Sequence, residues 1–190
     1  MMKYQIDIEN CLSVLHAGGL ILYPTDTVWG IGCDATNEDA VSRIYGLKNR
    51  NEAKSMIILL EDEASLLNYT KQDRLFIYDY IKGINKPTTV IYDNAINLPP
   101  NLINIDGSIG IRMVKDEFCK TLIGAFGKPI VSTSANVSGY PTPLIFSDID
   151  VLIKNGVDYI VSHRQEEQVP GNPSTVIKMN PDGTYDLLRP

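Results

Sequence analysis

The feature that most constrains this chain is a regular exchange between two hydrophobic patterns. Short runs rich in apolar and β-branched residues occur at 20–23, 56–60, 88–92, 109–112 and 129–132. A run of four or five such residues bounded by turn formers reads as a strand buried on both faces. Between them lie stretches whose apolar residues recur every three or four positions, the spacing of a helix with one face inward. Asp7 is placed to cap a helix over 8–17, with Ile8, Cys11, Leu12 and Leu15 on one face and Gly18-Gly19 as its stop. Asn37 caps a second helix through Leu47, with Ala40, Val41, Ile44 and Leu47 inward. Further helices are expected over 73–82, 118–126 and 148–155, the last ended by Gly156. Strands at 159–161, 174–177 and 185–188 close the chain. Strands that alternate with helices predict an α/β fold, a mixed sheet with helices packed against it. With 190 residues, no repeat and no long linker, a single domain over 1–190 is the expectation.

Charge narrows the function. Seventeen Lys+Arg against 23 Asp+Glu give a net charge of −6. That argues against a protein held on DNA by bulk charge, since such binding comes from neutralising phosphates. A local basic patch remains compatible. Cys11, Cys33 and Cys119 are odd in number and widely spaced, which fits three buried thiols in a reducing compartment better than a disulfide framework. The first seven residues contain no apolar core of a signal peptide, and the longest aliphatic run is Met56–Leu60, far below the ~20 residues of a membrane span. The expectation is a soluble, cytoplasmic protein without membrane contact.

Three polar segments could carry chemistry. In Tyr23-Pro24-Thr25-Asp26-Thr27-Val28-Trp29-Gly30-Ile31-Gly32, a buried strand delivers two hydroxyls and a carboxylate to a loop, and its glycines let backbone approach a ligand. A capped turn would use the same residues. Lys48-Asn49-Arg50 lies at a helix end with Arg43 and Lys54 nearby. A point charge beside a planar fork suits phosphate or carboxylate, although cations also favour helix C-termini through the dipole. Ser132-Thr133-Ser134-Ala135-Asn136-Val137-Ser138-Gly139 follows an apolar strand, and ligands of α/β sheets sit beyond the carboxyl ends of strands. Ser174-Thr175, Arg112 and Arg189 are weaker candidates. His16 and His163, the two histidines, read as structural, and Trp29 as core. No phosphate-loop, dinucleotide or thiolate–imidazole metal pattern occurs, and a Ser-His-Asp hydrolase is weakly supported.

Taken in order, these segments resemble the threonylcarbamoyl-adenylate synthases of the YrdC/Sua5 type. Pro24-Thr25-Asp26-Thr27-Val28-Trp29-Gly30, Lys48-Asn49-Arg50, Gly110-Ile111-Arg112, Ser134-Ala135-Asn136-Val137-Ser138-Gly139, Pro173-Ser174-Thr175-Val176 and Leu188-Arg189-Pro190 follow the family's sequence of motifs across 8–190. Trp29 stands where the family has Tyr, and Asn51 and Ser55 where it often has Pro. The strand 56–60 carries no histidine, unlike that of some long members. The chain looks like the short, single-domain form.

The resemblance implies a fold and a reaction. The fold is one α/β domain, a twisted mixed β-sheet with flanking helices around a concave, positively charged cleft. The reaction joins L-threonine, bicarbonate and ATP into threonylcarbamoyl-AMP and pyrophosphate, with Mg2+ carried on ATP and no protein metal site. Partner proteins then complete the t6A modification of tRNA, and weak contact with tRNA or double-stranded RNA is compatible. By motif position, Lys48 and Arg50 are the catalytic cations on triphosphate and carbamate. Lys54, Ser134, Asn136, Thr142 and Arg189 are expected to join them on ATP. Thr27, Arg112, Ser132 and Ser174 are expected on threonine. Loss of Lys48 or Arg50 is expected to leave the fold intact. The rival readings are a same-fold paralogue acting as an RNA-binding or translation-associated factor, a carbamoyl-transfer enzyme of hydrogenase maturation, and a nucleotide- or sugar-phosphate-binding protein.

Overall fold

A computed structural model describes residues 3–51, 56–71, 83, 86–180 and 184–190. The helix expected over 73–82 lies outside the described residues, as do Lys54 and Ser55. The strands are β1 (Ile21–Tyr23), β2 (Gly30–Gly32), β3 (Ile57–Leu60), β4 (Thr88–Tyr92), β5 (Ile109–Met113), β6 (Ile130–Ser134), β7 (Tyr159–Ile160), β8 (Thr175–Met179) and β9 (Tyr185–Arg189). The helices are α1 (Gln5–His16), α2 (Glu38–Lys48), α3 (Glu117–Phe126) and α4 (Val151–Gly156).

All nine strands join one twisted sheet in the order β7-β1-β2-β6-β3-β5-β4-β8-β9. The pairs β1/β7, β3/β5 and β4/β8 are parallel and the rest antiparallel, so the sheet is mixed, as expected. The apolar runs become its central strands because both faces are covered. Ile58, Val90, Ile111 and Val131 are buried in the core, and α1 and α3 pack against each other and against β1 and β3.

Local signals set most boundaries. Asn37 caps α2 by accepting from the Ala40 amide at 3.0 Å. Asp116 caps α3 through the Cys119 amide at 2.9 Å, and Gly127 ends it at φ 72°, a left-handed conformation that suits glycine. The helix expected over 148–155 begins later, at Val151, because Asp150 is its cap and 146–148 forms a separate 3-10 turn.

Two expectations are corrected. Gly30-Ile31-Gly32 is strand β2, not loop, because β1 and β6 supply ladders on both sides. A Cβ on Gly32 would lie 2.7 Å from the Tyr23 ring and 2.9 Å from Ile130, so that glycine makes room for packing rather than for a ligand. Asp7 does not cap α1; Tyr4 occupies the cap position and Asp7 lies within the first turn. Its carboxylate is taken by a distant segment, accepting from Ser162 N at 2.8 Å, His163 N at 2.9 Å and Tyr159 Oη at 2.7 Å.

Burial pushes the Asp7 carboxyl up, but these hydrogen bonds outweigh it and hold it below the usual 3.8. A depressed carboxyl stabilises the fold above its unfolded value and loses that contribution as pH falls through the folded one. Asp7→Asn is therefore expected to cost about 2 kcal/mol at neutral pH, the scale of hydrogen bonds to a charged group. The gap to wild type should close as pH falls below 3.8. Urea denaturation of both proteins across pH 3 to 7 (about) checks this; a gap that does not change with pH would contradict it.

Candidate active site

Strand alternation brings one face of the sheet together as the floor of a cavity. Ser132 and Ser134 point the same way from β6, Gly110 and Arg112 from β5, Thr89 and Ile91 from β4. Register places Ile57 opposite both Ser132 and Gly110, and Thr89 opposite both Arg112 and Val176. A Cβ on Gly110 would meet Ile57 at 2.9 Å, so glycine keeps this floor low between Ile57 and Ile91.

The cavity holds about 260 Å3. Of the residues singled out in the sequence, Thr27, Arg50, Arg112, Ser132, Ser134, Thr142, Ser174 and Arg189 line it. They come from segments spread over most of the chain. Three guanidiniums and no carboxylate stand in that wall among the described residues. Burial lowers the proton affinity of Arg50, and burial with the Arg112 charge lowers that of Arg189. Both shifts leave arginine ionised at neutral pH.

Each wall is built by specific bonds. Ser174 is buried, with its Oγ 2.8 Å from Thr89 Oγ1. Arg189 donates from Nε to the Ser174 carbonyl at 2.9 Å and from Nη2 to Ser174 Oγ at 3.1 Å, which orients the end of β9 toward the cavity. Thr25 Oγ1 donates to the Val28 carbonyl at 2.8 Å and lies 2.9 Å from Thr27 Oγ1, a tight turn that fixes Thr27. Asn136 Oδ1 accepts from Ser134 Oγ at 2.5 Å, while Nδ2 donates to the Tyr140 carbonyl at 2.7 Å.

Lys48 is not part of the cavity wall. It is 1% exposed, on the inner face of α2 with Val41, Ile44 and Tyr45. Its ammonium donates to the Ser134 carbonyl, to the Asn136 carbonyl at 2.6 Å and to Asn136 Oδ1 at 3.5 Å. Burial, then the Arg50 charge, pulls it down to about 7. Lys48 thus ties the end of α2 to the 134–136 loop. Asn49 turns the chain at φ 47°, and Arg50 then reaches the cavity. Arg43, expected in the same cationic group, instead pairs with Asp158 at 2.9 Å on the surface.

One contributor was not singled out from the sequence, and another was noted there without its partner. Thr89 lies in the floor, in a run whose two threonines read as ordinary β-branched strand formers. Asp26 Oδ1 sits 3.0 Å from Arg112 Nη2, with side chains 7% and 4% exposed. The signal was available: a buried arginine requires a counter-ion, and Asp26 is in the motif loop. Trp29 is core, 4.8 Å from the Phe146 ring, and both histidines pack on aromatic rings. Cys11, Cys33 and Cys119 are free and buried. No group of three His, Cys, Asp or Glu side chains fit to hold a metal occurs among the described residues. None of their helices is long and apolar enough to cross a membrane.

Comparison with known proteins follows the same pattern. The Sua5/YciO/YrdC family model, described as telomere recombination, matches residues 13–190. Threonylcarbamoyl-AMP synthase of Pseudoalteromonas translucida is 32% identical over 180 residues, covering 92% of this chain and 94% of its own. The Hahella chejuensis enzyme of that name is 35% identical over 156 residues, covering 80% and 83%. Two structures of P. abyssi Sua5 superpose with TM-scores of 0.88 and 0.84 at 27% and 26% identity. The second is complexed with L-threonine. Both align with 97% of this chain, which spans about half their length, 56% and 54%.

Proposed function

The chain belongs to the Sua5/YciO/YrdC family, and we propose that it is a threonylcarbamoyl-AMP synthase, forming threonylcarbamoyl-AMP and pyrophosphate from L-threonine, bicarbonate and ATP. The observation that carries this is the convergence of Arg50, Arg112 and Arg189 with Thr27, Ser132 and Ser174 on one cavity. Three cations and three hydroxyls match a ligand set of a carboxylate, a phosphate chain and an alcohol.

In this reading threonine lies over the β5 side, its carboxylate on Arg112 and its polar groups on Thr27, Ser132 and Ser174. ATP is held by Arg50 and Arg189 on its phosphates, with Ser134, Asn136 and Thr142 beside the nucleotide. Lys54 joins the phosphates. The threonine ammonium gives up a proton, the free amine captures CO2 formed from bicarbonate by loss of hydroxide, and its second proton leaves with that hydroxide as water; a carbamate oxygen then attacks the α-phosphorus as the bond to pyrophosphate breaks. The nucleophile belongs to the substrate, so the protein contributes position and positive charge where phosphate charge grows. Mg2+ supplies further charge neutralisation on the triphosphate, and no residue set of the protein is needed to cage it. The reaction takes place in the cytoplasm, and partner proteins carry the threonylcarbamoyl group to tRNA, with any RNA contact of this acidic chain weak.

The test is pyrophosphate release with each substrate omitted in turn. The expected result is release that requires ATP, Mg2+, bicarbonate and threonine together. Release that ignores threonine, or tRNA binding without any ATP turnover, would overturn the reading, the latter in favour of an RNA-binding paralogue.

A further inference from the structure

We infer that Arg164 is a positioning residue for threonine: from outside the cavity it fixes the loop that presents Thr27. The inference rests on the reading that threonine binds at Thr27.

Among the described residues, the non-glycines with positive φ are Asn49, Asn94, Asn97 and Arg164, the last at φ 71°. Asparagine visits that region readily and arginine does not. An arginine kept there against its own preference points to the work of its side chain. That side chain ties three segments together. Nη1 donates to the Thr25 carbonyl at 3.2 Å and to Asp116 Oδ2 at 3.2 Å, and Nε donates to Glu167 Oε2 at 2.8 Å. Asp116 is the cap of α3, whose first turn holds the same loop: Cys119 Sγ donates to the Pro24 carbonyl at 3.4 Å. Arg164 is not in the cavity wall, whereas Thr27 is.

These bonds converge on Thr27. Thr25, held by Arg164 at its carbonyl, accepts from the Thr27 amide at 3.1 Å through Oγ1, which also lies 2.9 Å from Thr27 Oγ1. The chain running on from Arg164 toward Ser174 crosses the Thr27 backbone at Gly171, where a Cβ would come 2.0 Å from the Thr27 carbonyl oxygen. Thr27 is thus clamped between two stretches of backbone, and Arg164 joins them through Thr25 on one side and Glu167 on the other. Ser174 and Arg189 are fixed independently. Ser174 Oγ lies 2.8 Å from Thr89 Oγ1, the Thr175 amide donates to the Pro87 carbonyl at 3.0 Å, and Arg189 bonds Ser174. Loss of Arg164 therefore loosens Thr27 and leaves the cations of the phosphate site in place.

The experiment is a double-mutant cycle read in KM. Pyrophosphate release is titrated with threonine and with ATP for wild type, Arg164→Gly, Thr27→Ala and the double variant. Glycine takes φ 71° without strain, so this substitution removes the side chain and keeps the turn. For Arg164→Gly the expected result is a KM for threonine raised about tenfold, the scale of one lost hydrogen bond to a charged ligand, with the KM for ATP within about twofold of wild type. In the Thr27→Ala background the same change should add less than about twofold, because the group it positions is gone. A protein that is merely damaged shows neither the selectivity nor the loss of additivity. An unchanged KM for threonine, an equal rise in both KM values, or full additivity in the cycle overturns the inference. Should Arg164→Gly not fold, Glu167→Ala decides, since Glu167 is exposed and its loss cuts only the tie between Arg164 and the following segment. The KM for threonine should then rise about threefold with that for ATP unchanged; an unchanged KM for threonine overturns the inference. Wild type without threonine-dependent release would overturn the underlying reading, and this inference with it.

Discussion

Arg50→Ala is expected to lower pyrophosphate release on the order of 100-fold or more while leaving the melting temperature nearly unchanged. The first half follows from position. Arg50 lines the cavity beside Arg112 and Arg189, at the end of α2 where the reading puts the phosphates. Removing a preorganised cation from where transition-state charge grows typically costs 10²–10³ in kcat, roughly 3–4 kcal/mol. The second half follows from backbone. The turn after α2 is made by Asn49 at φ 47° and by the Arg50 amide, which donates to the Tyr45 carbonyl at 3.0 Å. Neither needs the Arg50 side chain. Arg50→Lys keeps the charge but loses the planar fork, and should fall between wild type and alanine. Steady-state pyrophosphate release with a thermal melt measures both halves. Unchanged turnover would remove Arg50 from the reaction.

Lys48→Met is expected to lose turnover on a similar scale, of order 100-fold, and to lose stability as well. The sequence reading expects an intact fold, because it takes Lys48 as a charge-stabilising cation of the site. In the structure its stem is buried and its ammonium serves the Ser134 and Asn136 carbonyls. Methionine fills the stem's space but leaves both oxygens without that donor, at about 1–3 kcal/mol each. The 134–136 loop that places Ser134 and Asn136 then loses its anchor. A pH signature accompanies this. Burial lowers folded Lys48 to about 7 against an unfolded 10.5, so the unfolded chain holds one more proton between those values. Stability from this group therefore rises with pH across that window, while the three accepting oxygens offset part of the burial cost. Chemical denaturation of wild type should show the rise, and Lys48→Met should lack it. A methionine variant as stable and as active as wild type would contradict the anchoring role.

The orientation of Lys48 was legible in part. Val41, Ile44, Tyr45 and Lys48 fall at helical spacing of 3, 4 and 7, which puts lysine on the buried face. The sequence reading places Leu47 there instead, and Leu47 is only partly buried. The caps of α2 and α3 were equally local, since a cap bond closes within three residues. Asp7 was misassigned because its carboxylate is claimed by residues more than 150 positions away. A local rule carries no information about that competition. Strand β2 was missed for a related reason. Gly-Ile-Gly has no strand propensity of its own, and its ladders come from β1 and β6.

By itself, the sequence determined the α/β alternation, the Asn37 cap of α2 and the ordered set of polar motifs. These depend on spacing along the chain, which the chain contains in full. Only the tertiary structure decided which cations face the cavity. Arg50, Arg112 and Arg189 enter it, Arg43 is drawn off to Asp158, and Lys48 turns inward to brace a loop. The physical reason is that a charge goes where its desolvation is best compensated. For Arg112 that compensation is Asp26, 86 positions away in the chain and 3.0 Å away in space.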